Sequence, residues 1–184
     1  KKGVFKMKPF LDIGFKNYVF PENIVILLNP NSQPIIRFVK EKKDSGECFD
    51  IRQGRKTRSV IVLDTGEIIV SPVGAKTIQS RYLKYADEVN KNNTARFINP
   101  FLEIGFKNYV LPERVSIILN PNSQPTIRLI KDAKNDKRCF DIKQGKKTKS
   151  VLVLNTGEIV ISAIEAQTIQ NRYFKYIDEI NKTV

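Results

Sequence analysis

The sequence predicts an α+β fold made of two tandem copies of one small domain, each with a mainly antiparallel β-sheet and two helices. The first observation is a repeat: residues 10–90 align with residues 101–181 without a gap, at about 50 identities in about 80 positions. The second is that short apolar segments bounded by Gly, Pro or Asn alternate with longer segments of helical periodicity. Units of this length are typical of small domains rather than of solenoid repeats.

The boundary between the copies is expected in the polar segment NKNNTA, Asn90–Ala95. We therefore expect a first domain at residues 1–92 and a second domain at residues 93–184. The two copies share the charge of the chain evenly. Residues 1–91 carry 17 positive and 10 negative side chains, and residues 92–184 carry 15 and 9. Both copies are therefore basic.

The first half of each copy is predicted to form three strands and a helix. PFLDIGFKNYV (Pro9–Val19) predicts strand, glycine bend and strand. Pro21 marks a turn, and the apolar IVILL (Ile24–Leu28) predicts a short strand. The loop NPNSQP ends at a helix, with Ser32 as the N-cap and Pro34 in the first turn, where a missing N–H is harmless.

The second half of each copy is predicted to return to the sheet and then to form a long helix. CFDI (Cys48–Ile51) and SVIVL (Ser59–Leu63) predict strands, and the lack of alternation in the latter is typical of burial on both faces. DTGE (Asp64–Glu67) predicts a tight turn into the strand IIVS. The final helix has an apolar stripe whose tyrosines we expect to pack rather than to stack on bases. The stripe consists of Ile78, Tyr82, Tyr85 and Val89, with Ile169, Tyr173, Tyr176 and Ile180 in the second copy.

The composition favours a folded protein that binds a polyanion. Hydrophobic residues make up 41% of the chain, which is enough for a core. The 32 Lys and Arg exceed the 19 Asp and Glu by 13, and this excess favours nucleic acid first and an anionic membrane surface second. No apolar run is long enough for a membrane span, and the basic start lacks the apolar stretch of a signal peptide.

The residue types needed for most catalytic centres are scarce. The chain has no histidine, which excludes Ser-His and Cys-His hydrolases and most zinc sites. Cys48 and Cys139 occupy the same position of the two copies, so neither copy can form its own disulfide, and a reducing cytoplasm fits best. Asp50 and Asp141 recur beside cations and are expected to orient them as ion-pair partners. We expect no enzyme, no cofactor, no metal and no small-molecule substrate.

A basic loop recurs between two predicted strands, as RQGRKTR in copy one and KQGKKTK in copy two. Its cations are Arg52, Arg55, Lys56 and Arg58, with Lys143, Lys146, Lys147 and Lys149 in the second copy. The exchange of Arg for Lys suits phosphate contact, because either cation displaces counterions from a phosphate backbone. A P-loop is excluded, since the second glycine is missing and a strand follows the loop. A solvated basic turn without a ligand remains the alternative.

These segments together resemble the RemA family of bacterial extracellular matrix regulatory proteins. The resemblance lies in IGFKNYV, in NPNSQP followed by Arg37, in FDI.QG+KT+SV and in S….TI..R, which match the family patterns IGFGN.V, P.S.P..R and YGRRTRAV in order and spacing. It covers nearly all of each copy. The resemblance implies a DNA-binding transcriptional regulator with a domain like the LytTR DNA-binding fold, assembled into a closed ring that contacts DNA along its rim.

The resemblance also implies individual DNA-binding residues. The arginines of the YGRR stretch fall on Arg55, Lys56 and Arg58 and on Lys146, Lys147 and Lys149. The helix arginine falls on Arg37 and Arg128, and an early arginine falls on Arg114, where copy one has Asn23. The family tyrosine is Gln53 and Gln144 here. The lysines of copy two favour phosphate contact over base contact.

The sequence therefore predicts a homo-oligomer, expected to be a closed ring, that binds double-stranded DNA through residues 52–58 and 143–149 and associates with the nucleoid. In such a ring, copy one of one chain would meet copy two of the next. An RNA-binding regulator is the first alternative, because the basic loops suit either duplex. An oligomeric scaffold that binds a protein or an anionic membrane is the second.

Overall fold

The computed structural model describes residues 10–91 and 101–181, and it shows the same order of elements in both copies. Copy one contains β1 (Leu11–Gly14), β2 (Asn17–Val19), β3 (Ile24–Leu28), α1 (Gln33–Asp44), β4 (Cys48–Asp50), β5 (Ser59–Leu63), β6 (Ile68–Ser71) and α2 (Ala75–Lys91). Copy two contains β7 (Leu102–Gly105), β8 (Asn108–Val110), β9 (Val115–Leu119), α3 (Gln124–Asn135), β10 (Cys139–Asp141), β11 (Ser150–Leu154), β12 (Ile159–Ser162) and α4 (Ala166–Asn181). The predicted strands and helices are confirmed. The expected boundary between residues 92 and 93 lies outside the described residues.

Each copy is built on a four-stranded sheet that is antiparallel except at one edge. In copy one the order is β4-β6-β5-β3, and in copy two it is β10-β12-β11-β9. The edge pairs β4–β6 and β10–β12 are parallel. The central strands β5 and β11 are almost wholly buried, as their continuous apolar sequence predicted. This supports the α+β class with a mainly antiparallel sheet.

The two-residue hairpins before each sheet turn through left-handed backbone. Phe15 and Lys16 have φ of 51° and 58°, and Asn17 donates its side-chain N–H to the carbonyl of Gly14 at 2.8 Å. The β1–β2 hairpin is held to its own sheet by Ser71, whose hydroxyl donates to the Ile13 carbonyl at 2.7 Å. The β7–β8 hairpin has the same turn and the equivalent serine contact. The predicted glycine bend is therefore a hairpin turn.

One sheet continues from copy one into copy two. The hairpin of copy two pairs with β3 through β8, which extends the sheet of copy one to six strands in the order β4-β6-β5-β3-β8-β7. Phe101 lies fully buried against Tyr82 of copy one, with ring centroids 4.8 Å apart. Phe38 of copy one meets Phe140 of copy two edge to face at 5.1 Å. The copies therefore share one hydrophobic core, and Tyr82 packs as expected.

The first helix of each copy begins where the sequence predicts, but two of its side-chain environments differ from what the sequence pattern favours. Ser32 occupies the predicted N-cap position of α1, but its hydroxyl is buried without a hydrogen-bond partner among the described residues, whereas Ser123 of copy two caps α3 through the Thr126 N–H. Ile36 and Ile127 recur at helical spacing with other apolar residues of these helices, a pattern that favours burial, yet they are 48% and 46% exposed. Tertiary packing covers only the neighbouring stripe, which contains Ile35 in copy one.

Candidate nucleic-acid interface

The basic loop of each copy is organised around a tight turn. The Arg55 N–H donates to the Arg52 carbonyl at 3.0 Å, and Gln53 and Gly54 between them have φ of 50° and 79°. Two successive residues of positive φ define a type I′ turn, for which glycine at the second position is well suited. Residues 143–146 of copy two form the same turn with the same 3.0 Å bond. The backbone at the start of each loop is therefore well defined.

An ion pair anchors the base of the loop in copy one. Arg52 donates from Nε to Asp50 Oδ1 at 2.7 Å and from Nη1 to the Thr57 hydroxyl at 3.1 Å. Lys43 adds a contact to Asp50 Oδ2 at 2.9 Å. The Arg52 guanidinium, followed by the Lys43 ammonium, holds the pKa of Asp50 well below its usual range although burial opposes this shift. Asp50 therefore acts as the orienting partner of Arg52, as expected, and Arg52 is used inside the protein.

The loop of copy two has the same anchor and one additional ion pair. Lys143 lies 3.1 Å from Asp141, in the position of the Arg52–Asp50 pair. Lys149 lies 3.2 Å from Glu165, at the start of α4. Its counterpart Arg58 has no such neighbour among the described residues, because Gly74 stands where Glu165 stands in copy two. The second loop is therefore partly neutralised by its own copy.

Five cations of the two loops are exposed, and no described carboxylate lies within 4.0 Å of their charged groups. They are Arg55, Lys56, Arg58, Lys146 and Lys147. The Arg55 guanidinium lies over the ring of Phe15, with its carbon 5.0 Å from the ring centroid. This contact joins the loop to the hairpin turn beside it.

The remaining residues expected to bind DNA occupy two other places. Arg37 and Arg128 are exposed on α1 and α3, beyond the loops themselves. Arg114 lies at the contact between the two copies, where it meets Asp64 and the carbonyl of Glu22. The structure thus brings the loop cations together within each copy and uses Arg114 within the chain.

Two exposed lysines near the first loop were missed from the sequence. Lys76 lies in the first turn of α2, and Lys107 lies in the hairpin turn of copy two. Both line a cleft together with Lys56 and Arg58. The recurrence of FKN in both predicted hairpins could have marked Lys107 as an exposed cation. Its closeness to the loop of the other copy depends on the continuous sheet, which no local pattern reveals.

The two thiols are free and half-buried. Burial raises the pKa of Cys139 to about 11 and also raises the pKa of Cys48. A thiol that stays protonated at neutral pH is a poor nucleophile. Both cysteines pack against hydrophobic clusters and serve there as small apolar side chains. Among the described residues, no helix combines the length and the apolar character that crossing a membrane requires.

Comparison with known proteins recovers the repeat. A family model described as "RemA-like: Extracellular matrix regulatory protein A-like" matches residues 10–82 and again residues 101–173. A protein of Oleidesulfovibrio alaskensis named "Putative regulatory protein" is 43% identical over 74 residues, which are 40% of this chain and 88% of that protein. A protein of the same name from Maridesulfovibrio salexigens is 46% identical over 72 residues, 39% of this chain and 84% of that protein. Another from Pseudothermotoga lettingae is 34% identical over 86 residues, 47% of this chain and 94% of that protein.

These relatives are each spanned almost completely by a match shorter than half of this chain. Their names describe regulatory proteins and mention no catalytic activity. The family model covers both copies, including both basic loops. The chain belongs to the RemA-like family of regulatory proteins and carries two copies of the family domain in tandem.

Proposed function

We propose that this protein is a DNA-binding regulator whose chains join head to tail into a closed ring and hold the phosphate backbone of double-stranded DNA through their basic loops. The observation that carries the DNA-binding half is the set of five exposed cations in the two basic loops, each of which begins with a tight turn. Their positive charge has no described carboxylate partner within 4.0 Å. A regulator of this kind would associate with the nucleoid.

The anchored loops suit a phosphate backbone for two physical reasons. The turn and the Arg52–Asp50 pair order the backbone before binding, so little conformational freedom is lost when DNA arrives. Each phosphate that is neutralised releases counterions, and Lys serves this purpose as well as Arg. Arg55 and Arg58 of copy one can also form paired contacts with guanine edges, which a lysine cannot. Copy one is therefore proposed to contribute sequence preference in addition to affinity, and copy two to contribute affinity without sequence preference.

The proposed assembly is supported by identical side chains that differ in burial between the copies. Phe101, Tyr109 and Phe140 lie at the contact inside the chain and are 0%, 4% and 4% exposed. Their counterparts in copy one are 57%, 57% and 54% exposed, and they are Phe10, Tyr18 and Phe49. On the opposite end, Ile117 of β9 is 50% exposed while its counterpart Ile26 is fully buried. Each copy thus exposes the half of the contact that the other copy buries.

The two free ends complement each other. The hairpin β1–β2 pairs with no further described strand. No described strand pairs with the second edge of β9, which is the edge at which β3 pairs with β8 in copy one. Beside β9 lies a cavity of about 570 Å³, lined by Ile169, Gln170 and Tyr173 among others. In copy one, the corresponding Gln79 and Tyr82 contact Phe101. A second chain can therefore pair its β2 with β9 and insert Phe10 into this cavity.

Repeating this contact makes a heterologous assembly that ends only when it closes into a ring. Closure also removes the unpaired edge of β9, which would otherwise invite uncontrolled strand pairing. Since each chain supplies two domains, a ring of a given domain number needs half as many chains.

DNA binding is tested with three variants that remove the same charge. Arg55, Lys56 and Arg58 are changed to Ala in one variant, and Lys146, Lys147 and Lys149 in another. Both should bind a DNA duplex more weakly in fluorescence anisotropy, with a salt dependence flatter by about 0.9 for each phosphate that is no longer neutralised. The control changes three exposed helix lysines, Lys40, Lys84 and Lys131, to Ala and should retain the affinity of the wild type. Equal affinity in all variants at about 0.15 M salt, where distant charges are screened, would contradict the DNA proposal. A matched RNA duplex separates DNA from RNA binding.

Assembly is tested with a charge at the free strand edge. Ile117→Lys should give a monomer in light scattering, because the lysine would lie where Ile26 is buried in the equivalent contact. Ile36→Lys is the matched control, since Ile36 is equally exposed but lies on α1 away from the strand edge. If the wild type is a monomer at about 10 μM, the ring is refuted. A contact between chains whose dissociation constant exceeds this concentration would be too weak for a stable assembly.

A further inference from the structure

A cleft of about 350 Å³ lies between the loop of copy one and the hairpin turn of copy two. Four cations line it: Lys56 and Arg58 from the loop, Lys76 from the first turn of α2, and Lys107 from the turn between β7 and β8. Three of them belong to copy one and the fourth to copy two. Neither copy therefore forms this cleft alone.

The position of Lys107 in the cleft is set by hydrogen bonds between the copies. Asn29, directly after β3, donates its backbone N–H to the Asn108 side-chain oxygen at 2.7 Å. The Asn29 side chain donates to the Phe106 carbonyl at 2.9 Å. Lys107 itself has a φ of 60°, as the type I′ hairpin turn requires. The hairpin turn of copy two is therefore hydrogen-bonded to Asn29 of copy one, and its Lys107 lines the cleft.

No described carboxylate lies within 4.0 Å of the charged groups of these four residues. All four side chains are exposed. Four like charges around one small cleft raise the local positive potential, and an anion bound there relieves their repulsion. Asn29, Asn31 and Thr57 line the same cleft and add polar side chains.

The corresponding position in copy two carries less charge. Gln167 replaces Lys76, and Glu165 replaces Gly74 and pairs with Lys149 at 3.2 Å. The loop and helix of copy one thus contribute three positive charges, from Lys56, Arg58 and Lys76. Those of copy two contribute Lys147 and a neutralised Lys149. The two positions differ although the loops themselves differ only by exchanges of Arg for Lys.

We propose that the cleft between the copies is a phosphate-binding site that requires residues of both copies, and that the corresponding position of copy two is a weaker site. The proposal rests on the proposed function in taking the phosphate to be a phosphodiester of the DNA backbone. A free phosphate group offers the same oxygens to these cations, so the experiment includes both. Each chain then supplies one strong and one weak phosphate contact, and the strong contacts recur once per two domains around the rim.

The test removes two lysines of the cleft and compares the hairpin lysine Lys107 with its counterpart in copy one, Lys16. Lys76→Gln and Lys107→Ala should each weaken binding to a DNA duplex about eightfold at 0.1 M salt if one phosphate is no longer neutralised, and should flatten the salt dependence by about 0.9. Lys16→Ala removes the hairpin lysine of copy one, which lies outside this cleft, and should change the affinity by about twofold or less. Equal losses for Lys16→Ala and Lys107→Ala would overturn the asymmetry.

A variant that should bind DNA more tightly provides a second test, because misfolding could lower the affinity of a variant but could not raise it. Glu165→Gln releases Lys149 from its ion pair and should strengthen DNA binding about eightfold if Lys149 then neutralises one phosphate. If Glu165→Gln binds DNA no more tightly than the wild type, the ion pair between Lys149 and Glu165 is not the reason for weaker phosphate binding in copy two.

Calorimetric titration with inorganic phosphate, at the same ionic strength, separates the two sources of the anion. If the wild type binds DNA and the Lys76→Gln/Lys107→Ala double variant binds it equally well, the cleft is not a DNA site although the proposed function stands. If the wild type binds phosphate but not DNA, and the double variant binds neither, the cleft is a site for a free phosphate compound and the proposed function fails. If the wild type binds neither, both proposals fail.

Discussion

Arg114 of copy two places its Nη2 atom 3.0 Å from Oδ2 of Asp64 in copy one, and the same nitrogen donates to the carbonyl of Glu22. At the equivalent positions the free ends carry Asn23 and Asn155. A contact between chains that copies the contact within a chain would therefore bring two neutral amides together. Like the Arg114 pair, the ion pair of Lys137 with Glu41 has no counterpart there, because Gly46 stands in place of Lys137. The contact within the chain is thus distinguished by charge from the proposed contact between chains.

Arg114→Asn should lower the free energy of unfolding by about 1–2 kcal/mol, because it removes a charge-assisted hydrogen bond that is only partly exposed. The side chains of Arg114 and Asp64 are 17% and 32% exposed, so solvent screens the pair incompletely. Urea denaturation followed by circular dichroism measures the change. Arg138→Asn is the control: its pair with Asp136 is well exposed and lies within copy two, so its loss should cost less. If both variants lose the same free energy of unfolding, the Arg114–Asp64 pair between the copies stabilises the protein no more than an exposed pair within one copy.

Transferring the pair to the free ends should strengthen assembly. The double variant Asn23→Arg/Asn155→Asp places an arginine and a carboxylate where the proposed contact between chains has amides. We expect it to dissociate at about tenfold lower concentration, which corresponds to about 1.4 kcal/mol. Each single variant should assemble less tightly than the wild type, because it leaves a charge unmatched. Sedimentation velocity over a dilution series gives the coupling between the two changes, and additive effects would contradict the proposed contact.

The sequence predicted the elements of each copy but not the way in which the copies meet. Hydrophobic periodicity and turn residues are local, and they located β3, β5 and both long helices. The pairing of β8 with β3 depends on segments more than 80 positions apart, and nothing in IVILL shows that its second edge takes a strand from the other copy. The duplication also predicted a head-to-tail contact between chains, which stays a prediction.

The candidate site was predictable only in part, because local sequence patterns show which cations recur but not which residues lie next to them in the folded chain. The loop cations were found because they recur beside a glycine, and the Asp50–Arg52 pair was expected because the two residues are neighbours on one strand end. The partners of Arg114 and the closeness of Lys107 to Lys56 depend on the contact between copies. The neutralisation of Lys149 depends on Glu165, sixteen positions away. Tertiary placement decides which cations stay available.

Ser123→Ala should destabilise the protein by about 1 kcal/mol, while Ser32→Ala should change its stability little. The hydroxyl of Ser123 accepts from the Thr126 N–H at 3.3 Å and satisfies one of the free donors at the start of α3. The hydroxyl of Ser32 is buried and has no hydrogen-bond partner in the part of the chain that the structure describes, so its removal loses no described bond and eliminates a desolvated polar atom. Thermal unfolding of the two variants in parallel measures the difference. A larger loss for Ser32→Ala would contradict this account.

Cys139 should react with a thiol reagent more slowly than an unfolded control at pH 8, and its rate should rise about tenfold per pH unit up to pH 10. The physical reason is that burial raises the pKa of Cys139 to about 11, which keeps the thiol protonated, whereas an unperturbed cysteine titrates near 8.5. Higher pH converts more of the thiol into the reactive thiolate, so the sign of the effect is an increase. Mass spectrometry of the Cys48→Ser variant isolates the reaction of Cys139. A rate that levels off near pH 8.5 would show an ordinary, accessible thiol.

Gly14→Ala and Gly105→Ala should each destabilise the protein by about 2–4 kcal/mol, because both positions combine positive φ with a crowded side. Their φ values are 117° and 118°, and an added Cβ would lie 2.9 Å from Val73 in copy one and from Ile164 in copy two. Both neighbours are β-branched and cannot move aside easily. Gly54→Ala is the matched control. It has a φ of 79° but open space around it, so it should lose only about 1 kcal/mol from backbone strain.

Gly14→Ala and Gly105→Ala should also differ in which contact they weaken. Gly105→Ala acts on the hairpin that pairs with β3 inside the chain, so it should loosen the contact between copies. Gly14→Ala acts on the free hairpin that we propose to pair with β9 of another chain. We therefore expect Gly14→Ala to reduce the mass in light scattering at protein concentrations where the chain is still folded by circular dichroism. An unchanged mass in folded Gly14→Ala would mean that the free hairpin takes no part in assembly.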